Sequence, residues 1–211
     1  MLRYEQLLLE NKAWAQEIKE ADPQFFERLS QPQKPEILWI GCSDSRVSPN
    51  EITQCKPGQI FTHRNIANLV LHTDLNLFSV AQYAIEVLGI TDIVVCGHYD
   101  CGGVKGALTQ TSLGTIDKWL RHIKDVYSLH KMEIDALPED QRVNRLIERN
   151  VEEQILNLVK TPLIQGAWKK NKLPYLHGWV FDLPEGIIKP IIEIKPGDYP
   201  IDPVYQYNNL D

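Results

Sequence analysis

Two short, continuous apolar runs constrain the fold of this chain more than any other feature. Residues 36–41 read EILWIG, and residues 91–97 read TDIVVCG. Both runs are too short for a helix and are rich in β-branched residues, which is typical of strands buried on both faces of a parallel sheet. Residues 59–65 (QIFTHRN) predict a third strand between them.

Helical patterns alternate with these strands. Residues 74–89 predict a helix that begins at Asp74 and ends at Gly89. Further helices are predicted at these positions: 102–110, 115–131 and 138–160. Residues 174–194 predict two strands joined by a turn at 184–186. The pattern indicates an α/β fold with a mainly parallel central sheet and an antiparallel edge, flanked by helices.

The chain is predicted to form one domain over residues 1–211, with an N-terminal helical arm (1–34) and an α/β core (35–211). The arm contains two helices separated at Asp22-Pro23, and its apolar positions Leu7, Leu8 and Trp14 have helical spacing. A lone amphipathic helix buries little, so we expect the arm to pack on a neighbouring element or on a partner subunit. The last seven residues are expected to be a frayed tail.

Composition excludes several classes of protein. The 22 basic and 28 acidic residues give a net charge of −6 without a Lys/Arg cluster, so nucleic acid is not an expected partner. No run approaches the roughly 18 apolar residues of a membrane span. The charged N-terminal sequence lacks the pattern of a secretory signal, which favours a cytoplasmic protein with four reduced cysteines.

Candidate metal ligands follow both buried strands. The first strand runs into Cys42, and the second runs into His98 and Cys101. The carboxyl ends of parallel strands face one crevice, so these side chains are expected to meet. Two thiolates and an imidazole suit Zn²⁺ and leave a fourth position. Water there would make the site catalytic, whereas Asp44 there would close it.

Other interpretations of these residues are weaker. Lone buried cysteines are commonly small hydrophobic residues, and we interpret Cys55 and Cys96 in that way. A thiol hydrolase with Cys42 as nucleophile and His98 as base is conceivable but leaves Cys101 unexplained. The glycine-rich turn after the second strand lacks the Lys-Ser/Thr pair of a phosphate loop.

Three sequence blocks carry a family resemblance. CSDSRV (42–47), HRNIAN (63–68) and GHYDCGGV (97–104) resemble the β-class carbonic anhydrases, and the chain looks closest to the bacterial branch and its bicarbonate-regulated members. The resemblance implies a zinc enzyme, with one Zn²⁺ per chain, that hydrates carbon dioxide reversibly to bicarbonate and a proton through zinc-bound hydroxide. It also implies a homodimer or a homotetramer built as a dimer of dimers.

The resemblance also implies a role for individual residues. Cys42, His98 and Cys101 would be the zinc ligands, with Asp44 a fourth ligand in a closed state only. Asp44 and Arg46 would otherwise form a catalytic dyad. The residues implied to bind substrate are Gln33, Phe61, Ile66, Tyr83 and Gly102.

Two positions depart from the pattern of the regulated members. Asp100 stands in the ligand turn where a small residue is common, and Phe181 replaces a tyrosine. In those members Trp39, Arg64 and that tyrosine form a second pocket that holds bicarbonate. With Phe181 in place, we expect weaker regulation by bicarbonate but intact catalysis.

Charge counting suggests how the site would respond to pH. Zn²⁺ with two thiolates and a neutral imidazole carries no net formal charge, so it should acidify water less than a tri-histidine site and favour alkaline pH. Two alternative functions remain at this stage. One is a non-catalytic interaction protein with a closed zinc site, and the other is a hydrolase of another small heteroallene, such as carbonyl sulfide or carbon disulfide.

Overall fold

A computed structural model describes residues 2–210 of the chain. The strands are β1 (Ile37–Cys42), β2 (Ile60–Asn65), β3 (Asp92–His98), β4 (Tyr175–Asp182) and β5 (Ile187–Ile194). The helices are α1 (Arg3–Ala21), α2 (Phe25–Leu29), α3 (Pro49–Thr53), α4 (Leu75–Gln82), α5 (Gly102–Leu108), α6 (Asp117–Leu129), α7 (Lys131–Asp135), α8 (Glu139–Val159) and α9 (Pro162–Asn171).

The described strands form one sheet in the order β2-β1-β3-β4-β5. The first four run parallel, and β5 pairs antiparallel with β4 at one edge. The predicted α/β fold with an antiparallel edge is therefore confirmed. β1 and β3, the strands predicted to carry the site, are direct neighbours, with Gly41 opposite Cys96.

Helices cover both faces of the sheet and form two apolar clusters with it. Along β1, Leu38 and Ile40 join one cluster, whereas Trp39 joins the other. This alternation follows from the two-residue period of a strand. α8 contributes to both clusters, because Val151 packs in the cluster with Trp39 and Ile155 packs in the cluster with Leu38 and Ile40.

The predicted helix at 74–89 is confirmed, with a change of winding in its second half. The Asp74 side chain accepts hydrogen bonds from the backbone N–H groups of Asn76 and Leu77. The helix continues from α4 into a π-helical turn over Tyr83–Leu88 and ends at Gly89, whose φ of 67° favours glycine. The π-helical turn at Tyr83–Leu88 was not predicted, since the spacing of apolar residues does not distinguish a short π-helical turn from an α-helical one.

Three helices were not predicted from the sequence: α3, α7 and α9. The first two have five residues each, too few for a periodic pattern. α9 does carry a start signal, because Thr161 caps it and Pro162 occupies its first turn. The expected frayed tail is wrong for the part of the tail that the structure describes. Gln165 in α9 donates to the Tyr205 carbonyl and accepts from the Tyr207 N–H.

The chain divides after Lys34 into two compact units. In the N-terminal unit, the ring of Trp14 in α1 packs edge-on against Phe25 and Phe26 in α2. The predicted pair of helices with a break near Asp22 is confirmed. Leu7 and Leu8 of α1 are exposed. Among residues 2–210, no helix combines the length and apolar character needed to cross a membrane.

Candidate metal centre

Three potential metal ligands lie where β1 and β3 end. Cys42 is the last residue of β1, and His98 is the last residue of β3. Cys101 precedes the first turn of α5, after a sharp turn in which Asp100 has a φ of 64°. All three side chains are buried, and their ligand atoms lie within 4.8 Å of one another. The predicted convergence of the two strand ends is therefore present in the fold.

A backbone carbonyl fixes the orientation of the His98 ring. Its Nδ1 lies 2.9 Å from the Tyr99 carbonyl oxygen, which can only accept, so Nδ1 carries the proton. The lone pair of Nε2 therefore points toward the two thiols. Nε2 is one of two buried side-chain polar atoms within residues 2–210 that lack a hydrogen-bond partner, the other being Asn68 Nδ2.

The two thiols act as a pair, with their Sγ atoms 3.9 Å apart. The hydrogen bond from Cys101 lowers the pKa of the Cys42 thiol to about 4, against the opposing effect of burial. That same hydrogen bond, together with burial, raises the pKa of the Cys101 thiol. For His98, burial opposes protonation, but the direct interaction with the Cys42 side chain, followed by the charges of Cys42 and Asp44, raises its pKa. A divalent cation bound to both sulfur atoms would replace the hydrogen bond between them.

These donors fit Zn²⁺. Two sulfur ligands and one imidazole nitrogen form a mixed set that zinc accepts, and a buried imidazole nitrogen without a partner needs such an ion to compensate it. The bond from Nδ1–H to a carbonyl is the usual support for a metal-bound histidine. Cys42, His98 and Cys101 can therefore hold this metal.

The Asp44 and Arg46 side chains form a bidentate ion pair beside the ligands. Arg46 Nε donates to Asp44 Oδ1 at 3.0 Å, and Nη2 donates to Oδ2 at 2.8 Å. The backbone N–H of Arg46 also donates to Oδ1, and together these bonds hold the pKa of the Asp44 carboxyl well below its usual range. Asp44 Oδ2 lies 3.6 Å from His98 Nε2, so the carboxylate borders the ligand cluster.

Asp100 extends this ion pair into a network. Its carboxylate pairs with Lys105 and lies 3.8 Å from Arg46 Nη1. These contacts, led by Lys105, lower the pKa of Asp100. The unusual carboxylate in the ligand turn therefore faces cations rather than the thiols.

The residues predicted to bind substrate lie in different parts of the structure. A Cβ added to Gly103 would lie 2.8 Å from Ile66 Cγ2, so Ile66 borders the start of α5. Gly102 is the first residue of that helix, and a Cβ added to it would meet no neighbouring atom within 4 Å. Phe61 and Tyr83 stack on each other with centroids 5.9 Å apart, and Phe61 packs against the cluster that excludes the thiols. Gln33 belongs to the N-terminal unit, where it is exposed.

The three residues of the predicted second pocket lie on β1, β2 and β4. Trp39 and Phe181 are buried in the same cluster as Cys42. Arg64 Nε donates to the Cys42 carbonyl at 2.8 Å, and its Nη2 donates to the Asp44 carbonyl at 2.5 Å. Arg64 therefore ties β2 to the loop that carries the Asp44–Arg46 pair.

The sequence interpretation missed a set of amide side chains behind the site. Asn150, Gln154 and Asn157 of α8 bind the backbone of the segment that follows β2. A recognisable signal existed, because these residues share one helical face with apolar core positions.

Comparisons with known proteins agree with this geometry. Residues 37–188 match the family described as "Carbonic anhydrase". A carbonic anhydrase of Emericella nidulans is 48% identical over 195 residues, which are 92% of this chain and 86% of that protein. A carbonic anhydrase of Pseudomonas aeruginosa is 38% identical, over 80% of this chain and 78% of that protein.

Solved structures give the same result. A tetrameric β-carbonic anhydrase from Sordaria macrospora superposes with a TM-score of 0.87 at 42% identity. The match covers 91% of this chain and 98% of that one. The expected placement in the bacterial branch is not confirmed, because the fungal relative from Emericella is more similar than the Pseudomonas protein.

Proposed function

This chain belongs to the β-class carbonic anhydrases, and on that premise we propose that it hydrates CO₂ reversibly with one Zn²⁺ held by Cys42, His98 and Cys101. The observation that carries the metal assignment is the unpartnered Nε2 of His98, buried beside two thiols whose Sγ atoms lie 3.9 Å apart. Zn²⁺ in such a site lowers the pKa of a coordinated water and so supplies a hydroxide-like nucleophile at moderate pH.

In this proposal, Asp44 and Arg46 orient the attacking water. An ionised Asp44 carboxylate accepts a hydrogen bond from the water and leaves an oxygen lone pair directed at CO₂. The Arg46 fork holds the carboxylate away from the ligand cluster, in the geometry that the three hydrogen bonds describe. Without that fork, the carboxylate is near enough to His98 Nε2 to compete for the fourth metal position.

CO₂ needs an apolar approach, because it offers little to hydrogen-bond. Ile66 borders the start of α5, where Gly102 is the first residue, and this position supports a role for both in substrate binding. Phe61 and Tyr83 lie with the other cluster, and Tyr83 is 45% exposed. We propose that a second copy supplies these two rings, and that Gln33 also acts in the assembled homodimer or homotetramer.

Regulation and cellular location belong to the proposal as well. We propose that bicarbonate binds only weakly at Trp39, Arg64 and Phe181, because Phe181 has no hydroxyl to donate. We also propose a cytoplasmic location, because the four cysteines are free thiols, as a reducing cytoplasm would keep them.

The central test is zinc content measured together with CO₂ hydration. We expect one Zn²⁺ per chain in the wild type, and loss of most zinc and activity in Cys101→Ser. The controls Cys55→Ser and Cys96→Ser should keep both. Full zinc in Cys101→Ser would contradict the ligand assignment. Zinc binding by a wild type that does not hydrate CO₂ would favour a non-catalytic zinc protein instead.

A further inference from the structure

The segment that follows β2 has an unusual backbone. Ala67 and Asn68 have positive φ angles of 62° and 49°, consecutively and without glycine. L-residues rarely adopt this conformation, and it persists only where surrounding contacts enforce it. We call residues 66–70 the wall segment, because they lie against the candidate metal centre.

Three contacts define the position of the wall segment. A Cβ on Gly103 would lie 2.8 Å from Ile66 and 3.3 Å from Ala67 Cβ, so the segment abuts the start of α5. Ala67 is fully buried in the cluster that contains Cys42 and Cys101. Its backbone amide is among the groups that lower the pKa of the Cys42 thiol. A shift of this segment would therefore disturb packing in the cluster that contains both sulfur ligands.

Residues Ile66–Asn68 form a single 3₁₀ turn that is distorted at Ala67, and side chains bind much of the backbone of the wall segment. Trp119 Nε1 in α6 donates to the Ile66 carbonyl at 2.8 Å. Asn65 accepts from the Leu69 N–H at 2.7 Å and donates to the Leu69 carbonyl at 2.8 Å. The remaining bonds come from α8. Asn150 donates to the Ala67 carbonyl, Gln154 accepts from the Val70 N–H, and Asn157 donates to the Val70 carbonyl.

The α8 amides are connected to one another as well as to the wall segment. Gln154 Nε2 donates to Asn150 Oδ1 at 3.1 Å, and Asn157 donates to Gln154 Oε1 at 3.3 Å. Asn150 and Gln154 are each only 1% exposed. Buried amides are costly unless paired, and apolar side chains at these positions would suit a core helix better. Their common target is the wall segment.

We propose that Asn150, Gln154 and Asn157 are positioning residues, which fix the wall segment so that the metal centre keeps its geometry. Gln154 is the central member, since it bonds the segment and both other amides. The inference rests on the proposed zinc site but concerns residues that touch neither metal nor substrate. It predicts that metal binding itself depends on the interior face of α8.

The test compares metal binding by the full-length wild type and by Gln154→Met. Methionine retains the length of the side chain but cannot accept from Val70 or donate to Asn150. Loss of support behind a metal ligand commonly weakens metal binding 10- to 100-fold. We expect the Kd for Zn²⁺, from competition with a chromophoric chelator, to rise about tenfold. We also expect the visible spectrum of the Co²⁺-loaded variant to shift.

Leu158→Ala is the matched control. It removes core volume from the same helix, but Leu158 packs in the apolar cluster that does not contain the thiols. It should lower the melting temperature while leaving the Zn²⁺ affinity and the Co²⁺ spectrum unchanged. Equal changes in metal binding in both variants would overturn the inference, since the effect would then be general destabilisation.

A milder variant decides the question if Gln154→Met does not fold. Trp119→Phe keeps an aromatic ring but loses the donor to the Ile66 carbonyl, so it should shift the Co²⁺ spectrum and weaken Zn²⁺ binding by a smaller factor. If Gln154→Met and Trp119→Phe fold and keep the wild-type Zn²⁺ affinity and Co²⁺ spectrum, the positioning role is overturned. The proposed metal site would not be affected by that result. A wild type that binds no Zn²⁺ would instead overturn the proposed metal site, and the inference with it.

Discussion

At the scale of single residues, the chemistry depends on which partner each charged or polar atom already has. Asp44 has three hydrogen bonds to Arg46, whereas His98 Nε2 has no hydrogen-bond partner within the described chain. The carboxylate is held in place, and the imidazole nitrogen is left available to a ligand. The proposed function therefore gives metal binding and orientation of the nucleophile to different residues, and mutation should separate them.

Arg46→Ala should keep Zn²⁺ and lose CO₂ hydration. The guanidinium contacts carboxylates rather than the ligand atoms, so metal content should stay near one per chain. Without the fork, Asp44 is free to turn toward the ligand cluster, and kcat/KM should fall about a hundredfold, as for a displaced catalytic group. Stopped-flow CO₂ hydration and metal analysis measure the two effects. Lys105→Ala is the control and should have little effect; normal turnover by Arg46→Ala would refute the dyad.

Phe181→Tyr should strengthen inhibition by bicarbonate. Phe181 is 7% exposed and lies in one cluster with Trp39, so a hydroxyl at this position would be largely shielded from water. One hydrogen bond to a charged group contributes about 1.5–3 kcal/mol, which is about one to two decades in affinity. Inhibition curves at fixed pH test this, with Phe181→Leu as a variant that also lacks the hydroxyl. If the curves of wild type and Phe181→Tyr superimpose, the second pocket does not depend on this residue.

At the scale of elements, the antiparallel edge completes the sheet beside the ligand strand. β4 pairs with β3 along the whole length of β3, and Phe181 lies opposite His98. The turn between β4 and β5 is held by Asp182, whose Oδ2 accepts from Lys189 Nζ at 2.7 Å. That bond lowers the pKa of the Asp182 carboxyl.

Asp182→Asn should therefore destabilise the protein in a pH-dependent way. A carboxyl with a lowered folded pKa contributes stability above its unfolded pKa of about 4, and this contribution disappears as pH falls through the folded value. The difference in free energy of unfolding between wild type and Asp182→Asn should be largest near pH 7 and shrink below about pH 4. Urea denaturation over that range measures it. Glu36→Gln, at an exposed position away from this turn, is the control; a difference that grows on acidification would contradict the assignment.

At the scale of the whole molecule, several features call for a second copy of the chain. α1 exposes Leu7, Leu8 and Trp14, and the Phe61–Tyr83 ring pair lies with the cluster that lacks the thiols. In the proposed assembly, a partner subunit would cover the exposed apolar residues of α1 and would receive the ring pair at its own site. The similar Sordaria structure is a tetramer.

The protein should consequently self-associate at micromolar concentration. Light scattering should give a mass of at least twice the chain mass of 24.3 kDa. Deletion of residues 1–30 should lower activity or cause aggregation, because it removes the apolar helix face proposed to pack on a partner and leaves the partner's surface uncovered. Leu8→Glu, which places a charge on the exposed face of α1, should weaken assembly more mildly. A monomeric, fully active wild type would contradict the assembly.

The sequence by itself determined the sheet and the candidate ligand cluster. Strand ends and ligand identity are local properties, because a short β-branched run specifies a strand and parallel strands place their carboxyl ends together. Cys42, His98 and Cys101 could therefore be predicted as one cluster, and the pairing of β1 with β3 brings their ligand atoms within 4.8 Å of one another.

Only the tertiary structure decided what surrounds that cluster. The positive φ angles of Ala67 and Asn68 are accompanied by bonds from Asn150, Gln154 and Asn157, which join residues 83 to 87 positions apart in the chain. Such long-range contacts depend on how helices pack across the sheet, and no local pattern encodes that packing.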